Sequence, residues 1–375
     1  MRALASIRKI DNLMPIDGAD FIEAAEIGGW KIVVRKGDFS VNQIIVFFEV
    51  DSWLPEHIAP FLGTDGVAAK VYENVPGYRL KTKKLRGVVS QGLILSLADC
   101  KLLNVFVEDE DVTETLGVLK YEKPISNSGG PNAGNARGSF PSFIPKTDQE
   151  RCQNMKRDIV DYFDAGFDFE VTEKIDGTSV TIYWNDDVFV PAETPTLWDR
   201  IKFKFTGKLR ELKKGRKSYG VCSRNLDLAD TEGNSYWQVA RESGAMEALR
   251  KVALGRNLAI QGEIAGNGIQ GNQYRLTDKQ LFVFDIYDID RRTYFTSIER
   301  DAFCTENGLQ HVPVIDAAFK LIDGNIDSLL TMADAPSIVN LPEKPSIREG
   351  LVFKCNANPS ISFKAISNKW LLKYE

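Results

Sequence analysis

The sequence predicts an α+β chain in which a small β-barrel module is followed by a larger domain built on antiparallel strands. Three observations carry this. Residues 126–139 read Ser-Asn-Ser-Gly-Gly-Pro-Asn-Ala-Gly-Asn-Ala-Arg-Gly-Ser, with one charge and no apolar period, so they bury too little to order themselves. Before this seam, short β-rich runs alternate with turn signals, and after it strand-like runs alternate with helical stretches. The expected units are therefore 1–125, a linker at 126–140, and 141–375.

In the first unit the runs are Trp30-Lys31-Ile32-Val33-Val34, Gln43-Ile44-Ile45-Val46-Phe47-Phe48, and Gly87-Val88-Val89 through Gly92-Leu93-Ile94-Leu95. Gly28-Gly29, Lys36-Gly37-Asp38 and Pro76-Gly77 punctuate them, a pattern that suits a small closed barrel better than a helical unit. Between two runs lie Arg79, Lys81, Lys83, Lys84 and Arg86, five bases in eight residues without an acid. They fit either a solvated hairpin edge or a surface that tracks nucleic-acid phosphates.

In the second unit, Phe169–Glu173 leads into Lys174 and Ser179–Trp184 leaves it, which places Lys174-Ile175-Asp176-Gly177 on a turn between two antiparallel strands. Gly177 would relax that turn and admit a phosphate close to the backbone.

Composition narrows the chemistry. A net charge of −5 excludes a basic wrapper of nucleic acid, so contacts with it must be local. Five cysteines without a CxxC pair exclude a sequence-readable zinc ribbon and suggest a reducing compartment. No apolar run approaches a membrane span, and the first residues open no signal peptide, which places the chain in the cytoplasm or another internal compartment. Only His57 and His311 occur, in no paired motif, so histidine-based hydrolysis is disfavoured and lysine with carboxylate is left to carry catalysis.

A lysine that attacks a phosphorus atom must be neutral, against an ordinary pKa of about 10.4. Burial, neighbouring cations or a bound metal lower that value. Candidates for the supporting groups follow in order. Arg224, in Cys222-Ser223-Arg224-Asn225, is a donor to ribose or phosphate oxygens, and Glu263, in Gln261-Gly262-Glu263-Ile264-Ala265-Gly266, is an acceptor for a ribose hydroxyl. Phe282 and Phe284 share a strand face from which an aromatic could stack on a purine. Glu349 and Lys354 lie in Arg348-Glu349-Gly350-Leu351-Val352-Phe353-Lys354, and Lys364 in Ser362-Phe363-Lys364-Ala365.

This ordered set resembles the ATP-dependent RNA ligases of the covalent nucleotidyltransferase superfamily, the kind with an N-terminal OB module. KIDG, SRN, FVFDIYD, REGLVFK and SFKA are similar to its five motifs, and QGEIAGNGIQGN and FIPKTD to further ligase segments; RLKTKKLRGVVSQGLIL resembles OB-type RNA-binding strands. The resemblance implies an OB-like barrel followed by a nucleotidyltransferase, or ligase adenylation, domain. It implies that Lys174 takes AMP from ATP, that the AMP passes to an RNA 5′-phosphate, and that a 3′-hydroxyl then seals the joint, as in RNA repair. By position, Arg224 would contact ribose or nucleic acid, Glu263 the ribose, Phe284 the adenine and Lys364 the α-phosphate, with Lys354 assisting. Asp176 and Glu349 would organise magnesium, or manganese, through its water shell.

Ser179 stands where DNA ligases and capping enzymes usually carry arginine, and only eleven residues follow Lys364, too few for a C-terminal OB domain; both favour RNA ligases. Ser362 stands where many relatives have a second lysine. Residues 200–217, with nine Lys or Arg and one acid, are expected to contact RNA ends or a nicked duplex together with the first module. A non-catalytic OB-type RNA-binding protein, a DNA ligase and a guanylyltransferase remain alternatives, and the sequence leaves the oligomeric state open.

Overall fold

The computed structural model describes residues 3–63, 68–102, 106–121, 136–185, 218–252, 256–339 and 346–374. In the first domain the strand Ile44–Phe48 pairs antiparallel with Ala5–Lys9 on one side and Leu93–Leu95 on the other. Side chains alternate across a strand. Val46 and Phe48 therefore join one core with Leu4, Ile7 and Leu54, while Ile45 and Phe47 join a second with Trp30, Ile32 and Ile94. Burial on both faces explains why this strand is a continuous apolar run. The other strands form a meander Asn12–Pro15, Ile22–Ile27, Trp30–Arg35, a four-stranded sheet around Ser52–Pro55, and the hairpin Lys83–Leu85 with Val88–Ser90. The OB-type domain thus comprises separate sheets, and no closed barrel forms among the described residues.

The second domain holds two sheets. One has seven antiparallel strands in the order Ala136–Ser139, Leu226–Leu228, Ser218–Cys222, Thr178–Asn185, Leu258–Ala265, Gln280–Asp288, Thr293–Tyr294. The other has five in the order Glu150–Arg151, Ser362–Ile366, Gly350–Cys355, Asp168–Lys174, Val314–Lys320, the first pair parallel. Helices Ser235–Glu242, Ala245–Val252 and Ser297–Asn307 bury Tyr236, Trp237, Leu249 and Phe303 against Ile182, Ile260 and Val283 of the larger sheet. Helices Lys156–Asp164 and Ile326–Ala333 bury Ile159, Leu329 and Leu330 against Phe169, Phe353 and Phe363 of the smaller.

Two expectations change here. Residues 126–135 of the expected linker lie outside the described residues, but Ala136–Ser139 pair with Leu226–Leu228 at the edge of the large sheet. Arg137 anchors that edge by donating to Asp227 at 2.7 Å and to the Tyr183 hydroxyl at 2.6 Å, a long-range reward that local composition does not reveal. The strands flanking the KIDG turn do not pair with each other either. Asp168–Lys174 belongs to the five-stranded sheet and Thr178–Asn185 to the seven-stranded one, so Ile175–Gly177 is a crossing between sheets.

The domains meet at the segment Glu150–Asn154. The Gly29 amide donates to the Gln153 carbonyl at 3.0 Å, the Trp30 indole to Asn154 at 2.7 Å, and the Gln153 amide to Gln91 at 3.2 Å. Among the described residues no helix is long and apolar enough to cross a membrane, and all five cysteines are buried free thiols.

Candidate active site

Strand alternation puts Phe169 and Val171 into the core of the smaller sheet and turns Lys174 to the opposite face. Opposite Lys174 in register is Gly350, which delivers Glu349 to the lysine: Nζ and Oε2 are 2.7 Å apart. Across the sheet crossing, Glu263 faces Ser179 on the neighbouring strand of the larger sheet. Glu349, Glu263 and Asp176 all act electrostatically on Lys174. One lysine thus faces three carboxylates drawn from both sheets.

The charges decide its protonation. Burial favours the neutral amine, but Glu349, Glu263 and Asp176 together outweigh it and hold the ammonium above its ordinary range. Glu263 moves the other way for a carboxylate: desolvation dominates, Glu349 and Asp176 add repulsion, and its pKa is pushed up to about 8. Two of the candidate supporting cations pair with a further carboxylate. Arg224 donates to Asp148 at 2.9 Å and Lys364 is 3.2 Å from the same carboxylate, although the Arg224 charge is still felt at Glu263.

The crossing is braced by residues that the sequence reading did not single out. The Gln273 amide donates to Asp176 at 2.7 Å, the Asp176 backbone amide donates to the Tyr274 hydroxyl at 2.7 Å, and the Gln270 amide donates to the Gly177 carbonyl at 3.3 Å. All three sit in the loop after Leu258–Ala265, just beyond the quoted QGEIAGNGIQGN or at its end. A loop rich in Gly, Asn and Gln, flanked by two strands, is the signal that could have found them. Tyr236 and Thr178 share a hydroxyl contact of 2.7 Å on the far side of the turn.

At Gly177 the structure adds a reason of its own. Its backbone is not left-handed; instead a Cβ there would lie 2.3 Å from the Ile264 carbonyl oxygen and 3.0 Å from Glu263 Cγ. The missing side chain admits the neighbouring strand and so brings Glu263 to the lysine.

Residues 167–370 match the RNA ligase family model, more than half of the chain. The chain belongs to the RNA ligase family. Residues 4–97 match an OB-fold domain model. Solved structures of Naegleria gruberi RNA ligase mutants are similar over the whole length. One with AMP and manganese is 38% identical with a TM-score of 0.82 and covers 99% of both chains. Another with ATP and manganese has the same values, and an apo mutant gives a TM-score of 0.83 over 100% of this chain and 98% of that one. No match was found among curated proteins.

Against the ligase motifs, Phe284 is the extra residue of a β-bulge, because Gln261 faces Asp285 while Gly262 faces Val283. A bulge re-aims a side chain. Phe284 is half-buried and packs with Ile175, the neighbour of Lys174, whereas Phe282 is core, so the two aromatics are not equivalent. Lys354 does not join the cluster. It forms a buried ion pair with Asp285 and lies 5.7 Å from the Tyr294 ring, on the stretch opposite Glu170 rather than Lys174. Arg300 completes this buried network by donating to Glu170, to His311 and to the Phe284 carbonyl.

The first-domain bases also separate. Arg79 turns inward, 2.7 Å from Asp51 and over the Tyr121 ring, while Lys81, Lys83, Lys84 and Arg86 are exposed on and beside the hairpin. Residues 200–217 lie outside the described residues. Among the described residues, no group of three or more His, Cys, Asp or Glu is arranged to hold a metal directly.

Proposed function

We propose that this RNA ligase uses ATP and joins RNA 3′-hydroxyl and 5′-phosphate ends, with Lys174 as the nucleophile. The observation that carries the reading is a half-buried lysine 2.7 Å from Glu349, with two further carboxylates acting on it at a sheet crossing. The Naegleria gruberi ligase structures with ATP or AMP and manganese support it.

The neutral Lys174 amine would attack the α-phosphorus, forming a P–N bond as the bond to the β-phosphate oxygen breaks and pyrophosphate leaves with its electron pair. A 5′-phosphate oxygen of RNA would then displace the lysine, which takes up a proton, and a 3′-hydroxyl would displace AMP from the adenylylated end. Glu263 would accept from the ribose, and Phe284, re-aimed by the bulge, would stack on the adenine. Arg224 and Lys364 are the cations that would meet phosphate and ribose oxygens.

The hard oxygen donors of Asp176 and Glu349, gathered with Glu263 around one lysine, suit a divalent cation held by Asp176 and Glu349 through water. Bound there, magnesium or manganese would cancel carboxylate charge and so lower the pKa of the lysine. Exposed Lys81, Lys83, Lys84 and Arg86 would follow the RNA backbone, and the ends would be those of broken RNA under repair.

The test is incubation with labelled ATP or GTP and magnesium, followed by denaturing electrophoresis. Acid-labile, alkali-stable label from ATP, lost in Lys174→Ala, is expected. No label would leave an RNA-binding protein, label from GTP alone would indicate capping, and sealing confined to DNA nicks would indicate a DNA ligase.

A further inference from the structure

Asp148 gathers cations from three separate parts of the chain. Its Oδ2 lies 2.9 Å from Arg224 Nη2 and 3.1 Å from Lys120 Nζ, and its Oδ1 lies 3.2 Å from Lys364 Nζ. Lys120 ends the last strand of the OB-type domain, Arg224 follows Ser218–Cys222 in the large sheet, and Lys364 lies on Ser362–Ile366 in the small one. Three cations from three parts of the fold thus converge on one carboxylate. Partial burial disfavours the carboxylate, but Lys364, Lys120 and Arg224 outweigh it and keep Asp148 ionised far below the usual range. Its side chain is nevertheless 44% exposed, so a solvent-borne anion has access to the same donors.

A carboxylate and a phosphate present the same feature to Lys and Arg, two or more anionic oxygens in one plane or face. Resting on the ligase reading above, we propose that Asp148 is an intramolecular stand-in for substrate phosphate. It holds Lys120, Arg224 and Lys364 convergent while the site is empty, and it gives them up when a phosphate group of ATP or of the RNA 5′ end arrives. The aspartate is a positioning residue: it competes with the substrate anion and, through Lys120, ties the OB-type domain to the ligase domain until that exchange.

The test is Asp148→Asn, which keeps the shape and removes the charge. Exposed ion pairs contribute up to about 1 kcal/mol each, so loss of the competitor should lower one KM by about three- to tenfold. The KM for ATP is read from Lys174 labelling, and the KM for 5′-phosphorylated RNA from sealing by pre-adenylylated enzyme. The one that falls identifies the phosphate concerned, and Asp148→Glu should restore the wild-type value. If both KM values rise or neither changes, the proposal is overturned. Absence of label in the wild-type protein would instead remove the ligase reading, so the two failures are distinct.

A binding measurement covers the case in which activity or folding of the variant is impaired. Inorganic pyrophosphate should raise the thermal midpoint of wild-type protein, and Lys120→Gln should diminish that rise. An undiminished rise in Lys120→Gln would also overturn the proposal.

Discussion

At the scale of single residues, the excess of carboxylate around Lys174 is a stability statement as well as a catalytic one. Glu263 binds its proton more tightly in the folded chain, with a pKa of about 8, than an ordinary glutamate does. The folded state therefore holds more protons than the unfolded state between those values, and stability falls as pH rises through that window. Glu263→Gln removes the group that must ionise. In metal-free protein it is expected to stabilise by at least about 1 kcal/mol at pH 8 and to change little at pH 5, read from urea unfolding at both values. Equal effects at the two pH values would show that Glu263 is not the responsible group. The identities of Lys174, Asp176, Glu263 and Glu349 were legible because spaced motifs carry them. Gln273 and Tyr274 were not, because a hydrogen bond from Gln273 to Asp176 spans 97 positions and leaves no local pattern.

At the scale of elements, Asp285 and Lys354 show how a motif residue can serve the framework. Their strands belong to different sheets, and the buried pair joins them next to the Arg300 network behind Phe284. Lys354→Met is expected to destabilise by about 3–5 kcal/mol because it strands the Asp285 charge in the interior. The double variant with Asp285→Leu should recover most of that loss in thermal unfolding. Labelling of Lys174 in the double variant close to wild type would agree with a framework role, whereas folded protein unable to form the adduct would return Lys354 to the chemistry. Individual strands were readable from their apolar alternation. Their partners were not: the KIDG strands look like a hairpin in sequence, and only the register with Gly350 and with Glu263 assigns them to two sheets.

At the scale of the molecule, the two domains were legible as compositions on either side of a seam, but their docking was not. It depends on backbone and amide contacts between positions more than a hundred residues apart in most cases, such as Gly29 with Gln153 and Trp30 with Asn154. A Cβ on Gly29 would meet the Gln153 Cα at 2.7 Å and its carbonyl oxygen at 2.8 Å, so the segments must separate. Gly29→Ala is expected to cost on the order of 1–3 kcal/mol and to speed hydrogen exchange in Cys152–Met155 before it does so in Thr178–Asn185. A uniform increase across both would place the damage in global stability rather than at the junction.

The position of Lys174 at a sheet crossing also sets when the candidate site exists during synthesis. Lys174 and its strand emerge early, but the strand that pairs it, and the Glu349 carboxylate 2.7 Å away, come 175 residues later. A nascent or truncated chain that ends before residue 349 carries the lysine without the sheet that aims it. Competence for the proposed adenylylation would therefore be a late product of folding, and the covalent label would double as a reporter that both sheets have been completed.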